Sequence, residues 1–206
     1  MNYNIYKESL FDEVFDSQKN FRILLDAMSR PGKVVSLHPH SFGRFPQGFN
    51  PHVLTLMKTL CDNNVTIFTY DRTYQNYLQA NTGSEPVDNP AMADYALFGG
   101  RRYSGGFSKL KTGTPEFPED STTTIVTVDS LAEGVCGDFS DNTLVLRLKG
   151  PGIKHSNTLF INGLDSEYAA VFSSLNRAFP LGLDLILADT EGRISCLART
   201  TRLEVA

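Results

Sequence analysis

The sequence has little of what most easily reveals a function. It contains no tryptophan and only three cysteines among 206 residues. Cys61, Cys136 and Cys196 lie far apart, and none belongs to a CxxC pair. An odd number of widely spaced cysteines excludes a disulfide framework and a cysteine-rich zinc site. This usage is typical of buried thiols in a reducing cytoplasm, so we expect a cytoplasmic protein.

Strong charge and long apolar runs are also absent. Nineteen basic side chains against twenty-three acidic ones give a formal net charge of −4. Nucleic-acid affinity rests on Lys and Arg neutralising phosphates, so we expect no nucleic-acid partner. No apolar run reaches the roughly 18 residues of a membrane span, and the first residues lack the basic-then-apolar order of a signal peptide. We therefore expect neither membrane insertion nor export.

Familiar catalytic signatures are missing as well. The chain has no GxSxG, no Walker motif and no GxGxxG. His38 and His40 would share a face if they lay on a strand and could ligate a metal together, but Pro39 separates them and no cysteine is nearby. Cys61 and Cys196 lie in apolar contexts and are expected to fill the core. We expect no metal site.

Helical periodicity and turn residues are present in quantity. Apolar residues at i, i+3, i+4 and i+7 predict a helix over residues 17–29, capped by Asp16 or Ser17 and ended by Pro31. Asn50 and Pro51 predict the start of a second helix. Further helices are predicted near residues 74–78, 107–110 and 167–179. Strands are predicted over residues 33–37, 65–69, 94–98, 122–128, 143–149, 159–161, 183–188 and 193–197.

The interleaving of these elements predicts the fold class. Helical crossovers favour parallel pairing of strands, whereas the last two strands, joined by a four-residue turn, must form an antiparallel hairpin. The sequence therefore predicts an α/β protein with one central mixed sheet flanked by helices on both faces. Its length suits one hydrophobic core, so we expect a single domain over residues 1–206.

A polar cluster near the end of the chain is a candidate anion-binding or partner-binding site. If the last strand continues through residues 199–202, Arg199 and Thr201 face one way, and Thr200 and Arg202 the other. Arginine offers a fork of donors to carboxylate or phosphate. The alternative is an internal ion pair, for example with Asp184 or Asp26.

Two further places carry cations. Arg30 ends the first helix, where the helix dipole favours a positive charge without any function. Residues 99–106 (GGRRYSGG) combine flexible backbone with Arg101, Arg102 and Ser104 and form a weaker candidate anion loop, whose simpler interpretation is a solvated loop.

Four segments together resemble one family. They are residues 21–32 (FRILLDAMSRPG), 148–153 (LKGPGI), 179–187 (FPLGLDLIL) and 199–205 (RTTRLEV). Their order and spacing, and the total length, resemble those of the PhnH family of bacterial phosphonate metabolism, which supplies one component of the carbon–phosphorus lyase core complex. The middle of the chain, residues 38–120, matches loosely. Ala198 departs from the proline that the family usually has before Arg-Thr-Thr.

The resemblance implies a fold like the large domain of pyridoxal-phosphate (PLP) dependent transferases, without the cofactor. It implies a non-catalytic subunit that is a homodimer when isolated and binds core subunits G, I and J. The complex transfers alkylphosphonate onto the ribose of ATP before a radical enzyme cleaves the carbon–phosphorus bond. Arg199, Thr200, Thr201, Arg202, Asp184 and Arg30 are then a candidate docking patch, and Arg199→Ala is expected to weaken assembly while leaving the fold intact.

Two alternatives remain open. A stand-alone transferase would bind a nucleotide or phosphorylated ligand near residues 99–106 and Arg199. A PLP enzyme would need a lysine for the Schiff base, for which Lys149, before the turn at residues 150–152, is the nearest candidate. We expect no cofactor, because Lys149 lacks a neighbouring acid and phosphate cup in the sequence.

Overall fold

A computed structural model describes residues 11–40, 42–134 and 143–206 of the chain. Helices and strands alternate along these residues, as the sequence predicts. The helices are α1 (Phe15–Ser29), α2 (Pro51–Leu60), α3 (Arg72–Thr82) and α4 (Ser166–Leu175), with 3₁₀ turns at Pro90–Met92 and Phe107–Lys109. The strands are β1 (Val35–Ser36), β2 (Thr66–Phe68), β3 (Glu85–Pro86), β4 (Tyr95–Gly99), β5 (Thr123–Thr127), β6 (Ser130–Glu133), β7 (Thr143–Lys149), β8 (Asn157–Asn162), β9 (Asp184–Ala188), β10 (Arg193–Leu197) and β11 (Arg202–Val205).

The larger sheet is mixed, which confirms the predicted α/β class with a mixed sheet and helices. Its seven strands have the order β1-β10-β9-β5-β4-β2-β3. Neighbours from β9 through β5, β4 and β2 to β3 are parallel. The hairpin of β9 and β10 is antiparallel, as predicted, and β1 pairs antiparallel with β10. The parallel strands point their carboxyl ends towards one edge of the sheet.

A second sheet, which the sequence did not predict, covers one face of the first. Its four strands have the order β11-β7-β8-β6, and all pair antiparallel. Side chains from both sheets and α4 form one hydrophobic cluster, to which β7 contributes Leu146 and Leu148. The helices α1, α2 and α3 cover the other face through a second cluster. The expectation of one sheet was therefore too simple, because β6 and β11 are too short to show a clear alternation of apolar residues.

Local sequence explains most helix ends. Asn50 caps α2, since its side-chain oxygen accepts the His52 N–H at 3.0 Å, and Pro51 is the first residue of the helix. The predicted cap of α1 was wrong. Neither Asp16 nor Ser17 precedes the helix, and instead the Asp12 carboxylate accepts the N–H groups of Val14 and Phe15, both at 2.9 Å.

The polar segment near the end of the chain also departs from the prediction. β10 ends at Leu197, and the Thr201 N–H donates to the Ala198 carbonyl at 2.8 Å, which closes a turn. Arg202 then begins β11 in the second sheet. Because the chain turns here, the expected alternation of faces through residues 199–202 does not occur. None of the helices in the described ranges is long and apolar enough to cross a bilayer.

Candidate functional site

All six residues of the predicted polar patch lie at a corner where the four family-like segments meet. We define the corner as residues 29–32, 150–152, 182–184 and 199–202. The Gly32 N–H donates to the Cys196 carbonyl at 3.3 Å, and the Asn157 amide donates to the Pro31 carbonyl at 2.9 Å. A side chain at Gly152, whose φ is +81°, would run into the Ser29 carbonyl. The glycines and prolines of these segments thus serve close packing of backbone against backbone.

Arg199 lies inside this corner and has several partners within its own chain. Its guanidinium donates to Asp184 Oδ2 at 2.8 Å, to the Pro118 carbonyl at 2.6 Å and to Ser121 Oγ at 2.7 Å. The Arg199 N–H donates to Asp184 Oδ1 at 2.8 Å. The two charged side chains are only 19% and 23% exposed. The internal pair with Asp184, one of the two alternatives from the sequence, is therefore the arrangement in the structure.

Of the other polar residues at the corner, Thr201 is buried, whereas Arg30 and Arg202 are exposed. Thr201 is buried, and its hydroxyl has no hydrogen-bond partner among the described residues. Arg30 is exposed and forms an ion pair with Asp26, one turn earlier on α1. Arg202 is exposed on β11 directly opposite Lys149 of β7. Like charges facing each other across a strand pair are unfavourable unless an anion or a partner covers them.

A cleft opens at the other end of the larger sheet, where the parallel strands terminate. We call it the carboxyl-edge cleft. It comprises a hollow of about 300 Å³ and an adjoining one of about 470 Å³. Both are lined by the last residues of β4 and β5, by the residues at the start of α2 and by Arg102; these shared residues are Gly48, Asn50, Gly99, Arg102 and Thr127.

The weaker candidate loop of the sequence lies in this cleft. Arg102 lines both hollows, Ser104 lines the smaller one and Arg101 the larger one. Arg101 is exposed and pairs with Asp129, its Nη2 lying 3.0 Å from Oδ1. The sequence indicated no reason to connect this loop with residues 69–74 or 48–50, which form the opposite walls.

The two predicted anion-binding regions are at opposite edges of the sheet. Asp184 and its neighbour Thr123 are the first residues of β9 and β5, whereas Gly99 and Thr127 are the last residues of β4 and β5. Arg199 is held at the amino edge through Asp184. A single ligand site built from residues 99–106 together with Arg199 is therefore excluded by the topology.

A third polar cluster contains the two histidines that the sequence singled out. Ligand atoms of Asp16, His38 and His40 lie within 4.8 Å of one another. The Asn20 amide is oriented by two bonds, since its oxygen accepts the His38 N–H at 2.9 Å and its nitrogen donates to the Asp16 carbonyl at 2.9 Å. That nitrogen also faces His40 Nε2 at 3.3 Å. Nε2 is therefore placed to accept from the Asn20 amide, whereas Nδ1 lies 3.8 Å from Asp16 Oδ2, beyond hydrogen-bond distance.

This hydrogen-bond pattern makes the cluster structural. The Asp16 carboxylate accepts the Asp12 N–H at 2.9 Å and a bond from Lys19 Nζ at 3.2 Å, and Asn20 holds His38 and His40 beside it. Burial lowers the pKa of His40, although the Asp16 carboxylate opposes that shift. Burial likewise raises the pKa of the Cys61 and Cys196 thiols, which suits core residues rather than nucleophiles. Cys136 lies outside the described residues.

Comparison with known proteins decides the family. A family model described as "Bacterial phosphonate metabolism protein (PhnH)" matches residues 8–204. The chain belongs to the PhnH family. It is 30% identical over 204 residues, 97% of the chain and 96% of the relative, to a Rhizobium meliloti (strain 1021) protein named alpha-D-ribose 1-methylphosphonate 5-triphosphate synthase subunit PhnH. It is also 30% identical over 190 residues, 91% of the chain and 86% of the relative, to a putative C-P lyase subunit protein, HtxG, from Stutzerimonas stutzeri.

All four segments that carry the resemblance to the PhnH family contribute to the corner. Their sequences are therefore explained by packing of the chain against itself. The cleft, by contrast, is lined largely by residues from the loosely matching middle of the chain. Thr69 and Tyr70 were missed by sequence reasoning. The only signal for them is their position at the end of a predicted strand, where α/β proteins place ligands.

Proposed function

We propose that this PhnH-family protein is a non-catalytic subunit of a carbon–phosphorus lyase core complex. Such a complex transfers alkylphosphonate onto the ribose of ATP. The observation that carries the proposal is the match over nearly the whole chain to two relatives named as subunits.

We further propose that core subunits G, I and J are the partners, and that the outer side of the corner docks one of them. Arg199 and Asp184 satisfy each other and serve the fold. Arg202 and Lys149, by contrast, are two adjacent cations on exposed strands, unpaired within the described part of the chain. An acidic partner surface would neutralise both. Thr200, which is half-buried, lies beside them in the same turn.

The experiment measures native mass of the chain alone and after mixing with subunits G, I and J. We expect a larger stoichiometric species on mixing. Arg202→Glu should weaken assembly at least about tenfold, since it places a negative charge against the acidic partner. The same change creates an opposite-charge pair with Lys149 and should leave the isolated fold at least as stable.

Two further variants isolate the role of the docking surface. Arg44→Glu makes the same charge reversal on an exposed loop beyond the opposite face of the larger sheet, and should assemble normally. Arg199→Ala should lower the melting temperature, since Asp184 loses its partner. This replaces the expectation that Arg199→Ala leaves the fold intact. Equal loss of assembly in Arg202→Glu and Arg44→Glu would contradict the docking surface, and no assembly of the wild type would contradict the subunit function.

The finer expectations remain proposals supported by parts of the structure. We infer one domain, because both sheets contribute to one hydrophobic cluster. We also infer a cytoplasmic homodimer when isolated, as the family resemblance implies. The run of parallel strands ending in an antiparallel one suits a sheet like that of PLP-dependent transferases. No lysine lines the carboxyl-edge cleft in the part of the chain described, so a Schiff base has no donor there, and Lys149 lies in the second sheet.

A further inference from the structure

The position of the carboxyl-edge cleft follows from the strand order. From the carboxyl end of β2 the chain crosses through α3 to β3, on the outer side of the sheet. From the carboxyl end of β4 it leaves towards β5, on the opposite side. Loops that depart in opposite directions leave a crevice between the two strands, and open α/β sheets bind ligands at such a reversal. Both hollows lie at this edge, and the smaller one is bounded by the ends of both β2 and β4.

Several hydrogen-bond donors line this cleft without a protein partner. Within the described residues, the guanidinium of Arg102 and the hydroxyls of Thr69, Tyr70 and Ser104 donate to no other group, although each lines the smaller hollow. Thr69 is only 8% exposed. Its hydroxyl opens onto the cleft rather than into the core, so it is available to a ligand there.

The acidic and basic residues of the cleft lie in different parts of it. Asp71 lines the smaller hollow but not the adjoining one, and it caps α3 by accepting the N–H of Thr73 at 2.7 Å and of Tyr74 at 3.2 Å. The Arg101 and Asp129 pair lies in the adjoining hollow. Arg102, which has no acceptor among the described residues, borders both hollows, so an anionic group belongs beside it and away from Asp71. The aromatic rings of Tyr70, Tyr74 and Phe49 offer a wall for a flat, uncharged part of the same ligand.

We propose that the carboxyl-edge cleft binds a small molecule bearing a phosphoryl or phosphonyl group. Arg102 and the Ser104 hydroxyl hold the tetrahedral oxyanion, and Arg101 can swing from Asp129 to join them. A ring of the ligand lies against Tyr70, near Thr69. Phosphate esters and phosphonates share this oxyanion chemistry, and the site is independent of the docking surface around Arg202.

The experiment titrates the isolated full-length chain by calorimetry with three probes. Adenosine 5′-phosphate supplies anion and ring, methylphosphonate supplies the anion alone, and adenosine supplies the ring alone. We expect saturable binding of adenosine 5′-phosphate, and binding of adenosine weaker by about tenfold or more, because a charge-assisted bidentate contact is lost. Saturable binding of methylphosphonate indicates that the oxyanion alone suffices, whereas binding of adenosine 5′-phosphate only indicates that the ligand must supply both the anion and the ring.

Arg102→Gln should weaken adenosine 5′-phosphate binding by about tenfold or more. Because Arg102 is exposed and unpaired within the described chain, its replacement should leave the melting temperature and assembly with partner subunits unchanged. Arg147→Gln, the same change on an exposed strand of the second sheet, is the matched control and should bind normally. Unchanged binding in Arg102→Gln, equal loss in Arg147→Gln, or no saturation with any probe would overturn the proposal.

Discussion

At the scale of single residues, identical side chains have opposite roles in this PhnH-family protein. Arg199 donates to a carboxylate, a carbonyl and a hydroxyl of its own chain. Arg102 is exposed and, among the described residues, contacts no acceptor. An arginine whose guanidinium donates three hydrogen bonds within its own chain holds a structure together, whereas one without partners is available to bind. From the sequence, Arg199 was the stronger candidate for binding and Arg102 the weaker one. The sequence does not show which donors already have partners within the chain.

Two threonines just before and within β5 allow that distinction to be measured. Thr122 and Thr124 are both fully buried, but the Thr122 hydroxyl donates to the Ala93 carbonyl at 2.8 Å, whereas the Thr124 hydroxyl has no partner in the described structure. Thr124→Val should raise the free energy of unfolding by about 1 kcal/mol, because it removes an unsatisfied polar group of similar volume. Denaturant titration gives the value.

Thr122→Val is the matched control. It should lower the free energy of unfolding by about 1–2 kcal/mol, because the Ala93 carbonyl loses its donor in a buried site. If both variants shift stability in the same direction by equal amounts, the assigned difference between the two hydroxyls is wrong.

At the scale of elements, the corner shows how short segments hold two sheets together. β11 follows β10 after one turn and pairs with β7, so the chain passes from the larger sheet to the smaller one within a few residues. The turn between β7 and β8 packs against that passage, because a side chain at Gly150 would approach the Thr200 carbonyl at 2.9 Å. The same turn contacts the end of α1 through Gly152.

Gly152→Ala tests this packing. The glycine has φ of +81° and its added methyl group would meet backbone at Ser29, so we expect the free energy of unfolding to fall by about 3 kcal/mol. Gly134→Ala is the control, because Gly134 has φ of +101° but no atom of the described residues would lie within 4 Å of its added methyl group. Backbone strain alone should lower its stability by only about 1 kcal/mol. If thermal unfolding shows the same loss of stability for Gly152→Ala and Gly134→Ala, close packing at Gly152 contributes nothing to the stability of the fold.

At the scale of the whole molecule, two apolar clusters lie on opposite faces of one sheet. Neighbouring residues of β4 alternate between them, with Ala96 and Phe98 in one and Leu97 in the other. The second sheet has its buried face in the first of these clusters, beside α4. Neither sheet can therefore lose its packing without exposing the apolar face of the other.

We accordingly expect one cooperative unfolding transition for the isolated chain. Far-ultraviolet circular dichroism and tyrosine fluorescence should give coincident curves, and the calorimetric enthalpy should equal the van't Hoff enthalpy. Two separated transitions, with the β-rich signal lost first, would instead indicate that residues 1–206 form two folding units.

The sequence by itself determined the local elements and the family. Helix α2 begins at the Asn-Pro pair as predicted, and the hairpin of β9 and β10 forms around its four-residue turn, since capping and turn formation depend on residues close in the chain. Tertiary structure alone decided the second sheet, the pairing of Arg199 with Asp184 and the meeting of residues 48–50, 69–74 and 99–104 around one cleft. These features depend on contacts between distant segments. The burial and partners that such contacts give a side chain leave no regular pattern in the sequence.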